Sequence, residues 1–181
     1  MQRRRRAFWR IAAPLVALLA ALGLQSGRAE AYEEQISADV ALGYSGLAAN
    51  DRLPGNLPAI DLGAAVGISD WLVVRTAFGY GALLGGGDML HVGRGRLEVA
   101  YLLDILQWVP FFGVGGGLWA LQGPSGLGLR PAGHLWFGVD YLATREWTVG
   151  LDTRTGLLWQ RGDTASFTEG QLRFSRTFEM F

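Results

Sequence analysis

The stretch Trp147-Thr-Val-Gly-Leu-Asp-Thr-Arg-Thr-Gly-Leu-Leu-Trp159 alternates residue by residue. Val149, Leu151, Thr153, Thr155 and Leu157 share one parity, and Asp152 and Arg154 fall on the other. Successive side chains of an extended strand point to opposite faces, so this stretch reads as a strand with one apolar and one ionic face. Each end carries a tryptophan, whose amphipathic ring favours a boundary between apolar and wet surroundings.

Seven further stretches show the same period of two, separated by clusters rich in Gly, Pro, Asn and Asp. The preceding ones run over 33–45, 57–68, 71–81, 91–103, 109–121 and 131–142. The last runs over 165–178. Their apolar faces include Val40, Leu62, Phe78, Leu97, Val114, Phe137 and Phe174. The opposite faces carry Asp39, Asp61, Arg75, Arg94, Arg96, Glu98, Asp140, Asp152, Arg154, Glu169 and Arg173. Arg176 is the one charge on the apolar side, close to the last turn.

The connections alternate as well. Three are short, at Ser69-Asp70, at 104–108 and at 143–146. Four are expected to be mostly longer and Gly-, Pro- or Asp-rich, at 46–56, 82–90, 122–130 and 161–164. Short turns on one side and longer loops on the other are the pattern of outer-membrane barrels, with the turns facing the periplasm. An even strand count returns the C-terminus to the side of the N-terminus.

Magnitude fixes which face is outside. A soluble eight-stranded barrel of lipocalin type would turn its charges to water. In a bilayer, an Arg facing the midplane costs about 2–4 kcal/mol, so the apolar faces must meet lipid and the ionic faces the lumen. The second face consists mostly of Gly, Ala, Ser and a few charges, with no Lys in the chain at all. Small residues of that kind suit the crowded interior of a narrow barrel better than a water-exposed surface. Tyr44, Tyr80, Tyr101, Trp108, Tyr141, Trp147 and Trp159 stand at or near strand ends, as a membrane interface favours.

The net charge of zero hides a segregation. Six of the sixteen basic residues lie within the first 28 positions, with Glu30 the only acid before position 33. Arg3 to Arg6 and Arg10 precede an uncharged run from Ile11 to Leu24, and Ala29-Glu30-Ala31 follows. This is the tripartite pattern of a cleavable signal peptide over 1–31, with Ala29 and Ala31 at the positions a signal peptidase reads. The run is short of the roughly 20 residues that a retained helix needs. A single domain over 32–181 remains, with more acid than base and no reason to seek nucleic acid. Cysteine is absent, which excludes disulfides, thiolate metal sites and a thiol nucleophile.

No catalytic, cofactor or metal constellation stands out. His91 and His134 have no second ligand at metal spacing. Gly43-Tyr-Ser-Gly46 lacks the spacing of a nucleophile elbow, and Gly113 to Gly117 lacks the Lys and Ser/Thr of a phosphate loop. Inward Arg75, Glu98, Asp152, Arg154 and Arg173 are expected to form an ion-pair network through the lumen, because buried charge must be paired.

On strand count, turn order and the terminal stretch Leu172-Arg-Phe-Ser-Arg-Thr-Phe178-Glu-Met-Phe181, the chain resembles the small eight-stranded outer-membrane barrels that include the OmpA transmembrane domain, OmpX and OmpW. The resemblance covers roughly 32–181. It implies an all-β, antiparallel, up-and-down transmembrane barrel in the Gram-negative outer membrane. It also implies that Phe178 or Phe181 serves as the signal for the barrel assembly machinery. The partners it implies are outer-membrane lipid and that machinery, with the barrel a monomer. The expected role is structural or interactive. The alternatives are a narrow small-solute channel of OmpW type and a lipid-modifying enzyme. For the enzyme, His134-Leu-Trp lacks the neighbouring Ser of the lipid A deacylases.

Overall fold

Strand pairing satisfies backbone N–H and C=O groups that lipid cannot solvate, and only closure leaves no edge unpaired. The computed structural model describes residues 35–48, 56–85, 88–103, 107–123, 126–160 and 163–179. They form β1 (Gln35–Ala48), β2 (Asn56–Ser69), β3 (Leu72–Gly85), β4 (Asp88–Leu102), β5 (Trp108–Gly123), β6 (Gly126–Leu142), β7 (Trp147–Gln160) and β8 (Asp163–Glu179). Each strand pairs antiparallel with the next, and β1 pairs with β8 from Gln35↔Glu179 to Ala48↔Ser166, so the sheet is a closed barrel. The register slips once, at a bulge between Gly67 and Ser69 beside the β2–β3 turn. The expected leader, with Ala29 and Ala31, and the terminal Phe181 lie outside the described residues.

The strands are longer than the alternation alone predicts. The expected loops at 82–90 and 122–130 are mostly strand, leaving only 86–87 and 124–125 between elements. Only about 9–11 residues are needed to cross the hydrocarbon, so strands of 14 to 17 residues carry their pairing beyond it. Glycine and proline blur the period there without preventing pairing: Pro131 sits opposite Leu118 and Gly128 opposite Leu121. Gly126 takes φ +102° where β6 leaves that hairpin, a left-handed conformation that excludes ordinary L side chains.

The outer surface is apolar. Leu62, Phe78, Leu97, Leu135 and Leu151 stand open, each more than half exposed. Across the wall, Asp61, Arg75, Glu98 and Arg154 have no exposure. A soluble protein does not bury its charges while exposing a continuous apolar belt, whereas a membrane barrel must. Rings edge the belt. Trp71, Trp108 and Trp147 lie at the end with the short turns, and Tyr44, Tyr80 and Trp159 at the other. Arg176 does face outward, but at the turn-end margin. Its guanidinium lies 5.6 Å from the Trp147 ring and 5.2 Å from the Phe178 ring, and 3.3 Å from Glu146 Oε2.

Inside, the lumen is layered. At the loop end an apolar cluster holds Leu47, Leu57, Val92, Trp119, Leu158 and Phe167. At the turn end Ala100, Leu102, Val109, Phe111 and Trp136 form a second cluster. The charged layer lies between and beside them.

Candidate functional site in the barrel lumen

Inward parity on each strand delivers its charges to one level of the lumen, and register decides who meets whom. Glu98 of β4 is the hub. It accepts from Arg75 Nη1 at 2.7 Å, from Arg154 Nε at 2.5 Å and from His134 Nε2 at 2.9 Å. Arg75 turns its other edge to Asp39, with Nε and Nη2 at 2.9 and 2.6 Å from the two carboxylate oxygens. Arg154 continues to Asp152 and to Gln171 Oε1, the latter at 2.8 Å. Asp152 Oδ2 lies 3.6 Å from Arg173 Nε, and Arg173 Nη2 donates to both oxygens of Asp140 at 2.7 and 2.8 Å. All five residues expected in the network, Arg75, Glu98, Asp152, Arg154 and Arg173, therefore lie in one connected chain.

A second ring lies toward the loop end. Arg94 and Arg96 both bridge Asp61 and Glu169. Ser45 donates to Glu169 at 3.1 Å, and Gln171 donates to Asp61. Arg96 Nε is 3.9 Å from Glu98 Oε1, which joins the two rings. Among the described residues, six lumen carboxylates (Asp39, Asp61, Glu98, Asp140, Asp152, Glu169) are paired with five guanidiniums (Arg75, Arg94, Arg96, Arg154, Arg173) and His134. Near-parity of charge is what makes the layer tolerable in a low dielectric, since an unpaired buried ion costs several kcal/mol.

Glycines make room for these contacts. Asp61 of β2 pairs with Gly79 of β3, which pairs with Arg94 of β4, and the ion pair spans the missing side chain. Gly115 stands in the same relation between Glu98 and His134, and Gly150 between Asp140 and Arg173. A Cβ at Gly115 would lie 2.5 Å from His134 Nε2, and one at Gly150 would lie 2.1 Å from Asp140 Oδ1.

The rings of Trp136 and Trp119 were not singled out by the sequence as part of this layer. The guanidinium carbons of Arg154, Arg173 and Arg75 lie 5.1, 5.6 and 5.7 Å from the Trp136 ring, and that of Arg94 lies 5.4 Å from Trp119. Cation–π attraction of this kind strengthens when both partners are desolvated. The signal was present in parity alone, because Trp136 shares the phase of His134 and Asp140. Phe178, one of the two expected assembly residues, points outward at the turn-end margin of β8, opposite Ile36.

No protein-family model matches the chain, and no curated protein matches it by sequence. Solved structures do match in fold. Neisserial surface protein A superimposes with a TM-score of 0.62 at 12% identity, over 81% of this chain and 96% of that one. Ail, the attachment invasion locus protein of Yersinia pestis, gives 0.54 at 12% identity, over 81% and 99%. The N-terminal β-barrel domain of Pseudomonas aeruginosa OprF gives 0.51 at 12% identity, over 81% and 98%. The chain thus has the fold of the small eight-stranded outer-membrane β-barrels, with an apolar exterior and a lumen filled by paired charge.

Proposed function

We propose that the chain is exported, loses residues 1–31, and acts in the outer membrane as a monomeric barrel with a structural or interaction role rather than as a pore or an enzyme. One observation carries this reading: the lumen is stoppered. At the loop end Trp119 packs on Phe167 with ring centroids 4.9 Å apart, within a cluster that includes Leu57, Val92 and Leu158. Below it the ionic layer cross-links the seven strands other than β5, which contributes Gly115 between Glu98 and His134. An eight-stranded barrel has room for side chains and little else, and here they fill the bore from the loop end through the ionic layer.

Single-channel recording in planar bilayers tests this directly. The stoppered lumen predicts no conductance steps from the folded wild-type barrel. Discrete openings would favour the narrow-channel reading. A change in lipid A mass spectra on overexpression would instead support a lipid-modifying activity.

A further inference from the structure

At the turn end the lumen is not filled. A recess opens there whose two walls differ in chemistry. Strands β6, β7, β8 and β1 present Asp140, Thr148, Arg173, Ser175, Ser37 and Gln35. Strands β3 to β6 present Val73, Leu102, Phe111 and Trp136. We propose that this recess binds a neutral polyhydroxylated ligand about the size of one sugar ring, reached from the periplasm.

The polar wall is unsatisfied. Two buried donors that line the recess, Trp136 Nε1 and Arg173 Nε, have no hydrogen-bond partner among the described residues, and the hydroxyls of Ser37, Thr148 and Ser175 beside them face the open space. Thr177, at the rim of the same wall, leaves its hydroxyl free as well. Buried polar groups in folded proteins find partners, so two orphaned donors beside a row of open hydroxyls ask for an occupant that both accepts and donates.

Charge narrows the class. Arg173 and Asp140 already neutralise each other through two hydrogen bonds. A charged ligand would have to break that pair or remain unpaired in a confined site. The opposite wall offers the rings of Phe111 and Trp136, with centroids 4.8 Å apart, beside Leu102 and Val73. A pyranose has this same duality, with a C–H face and a hydroxyl rim.

Size narrows it further. The recess is a cavity of about 60 Å³. One water needs about 10–15 Å³ of such space and takes up about 30 Å³ of liquid, so the volume equals roughly four to six waters, near that of one sugar ring. The Trp119–Phe167 stopper closes the far end, so a ligand enters and leaves on one side only.

A free monosaccharide and the terminal ring of a longer glycan offer the same chemistry. The test is saturation-transfer NMR and calorimetric titration of the mature chain, residues 32–181, refolded in lipid nanodiscs. The probes are glucose, galactose, N-acetylglucosamine and a soluble tetrasaccharide ending in whichever ring binds. A ligand of this size supports a Kd on the order of 1 mM. Saturable binding of a monosaccharide, weakened at least several-fold in S175V and in T148V, supports the proposal. The tetrasaccharide binding better than its free ring identifies a glycan end; equal or weaker binding identifies the free sugar. F167A at the opposite stopper should leave sugar binding unchanged. If S175V fails to fold, a sugar-soaked crystal of the wild-type protein decides, with a ring between Phe111 and Ser175 expected. Ordered water alone in that crystal, no saturable binding, or equal binding by wild type and both variants would overturn the proposal.

Discussion

Asp61 and Arg94 sit on strands that are not neighbours, yet Arg94 Nη2 lies 2.9 Å from Asp61 Oδ1, across Gly79 of the strand between them. A Cβ on Gly79 would lie 1.8 Å from that carboxylate oxygen and 2.9 Å from Arg94 Nε. The glycine is therefore as much a part of the ion pair as the charges. Gly79→Ala is predicted to destabilise the barrel by about 1–3 kcal/mol, the usual result of forcing a group into a packed interior. Gly170→Ala, where a Cβ meets nothing within 4 Å, is predicted to change stability by less than about 0.5 kcal/mol. Urea unfolding in lipid vesicles measures both.

Arg154 ties Glu98, Asp152 and Gln171 together and stacks on Trp136. Arg154→Met keeps much of its length and removes its charge, which leaves Glu98 and Asp152 short of a partner. The predicted loss is about 3–5 kcal/mol, that of breaking a buried pair from one side. It should appear as a lower midpoint for heat-modified mobility on gels. An unchanged midpoint would mean that the ionic layer contributes nothing to stability.

The alternation in 147–159 showed which residues face inward, and the fold needed little more than that. Strand period, turn order and the side that meets lipid all follow from local chemistry. Two things did not: the full strand lengths and the partner of each charge. The strand extensions through 82–90 and 122–130 were hidden because glycine and proline carry no side-chain parity. In β5, the glycines at 113, 115, 116 and 117 make the period less clean, yet Phe112, Val114 and Leu118 still mark the outward face and so put Trp119 inside. The partners of each charge depend on register around a closed circle. Asp39 meets Arg75 two strands away, a relation that no stretch of either strand encodes by itself.

Leu151 lies in the middle of β7 with its side chain open to the surroundings. Leu151→Arg would place a guanidinium against acyl chains, at a predicted cost of about 2–4 kcal/mol. The same measurement on Arg176→Leu is predicted to show a much smaller change, because Arg176 sits at the margin between Trp147 and Phe178. Equal effects at the two positions would contradict the placement of the belt.

Phe178 and Phe181 are proposed as assembly residues. Phe178→Ala and deletion of Phe181 are each predicted to slow assembly in vivo. The residue that carries the signal is the one whose loss leaves more unfolded precursor, read as the unmodified gel band in pulse-chase. Phe178→Ala should not alter urea stability by more than about 1 kcal/mol, because Phe178 faces outward at the turn-end margin.

The inverted polarity of the wall is open to direct measurement, because the chain has no native cysteine to interfere. Single cysteines introduced at successive positions from 149 to 155 of β7 can carry a spin label in lipid nanodiscs. Accessibility to oxygen, which partitions into the bilayer, should be high at 149, 151, 153 and 155 and low at 150, 152 and 154. The opposite alternation, or ready contact of the odd positions with a water-soluble nickel chelate, would contradict a barrel that turns its apolar face to lipid.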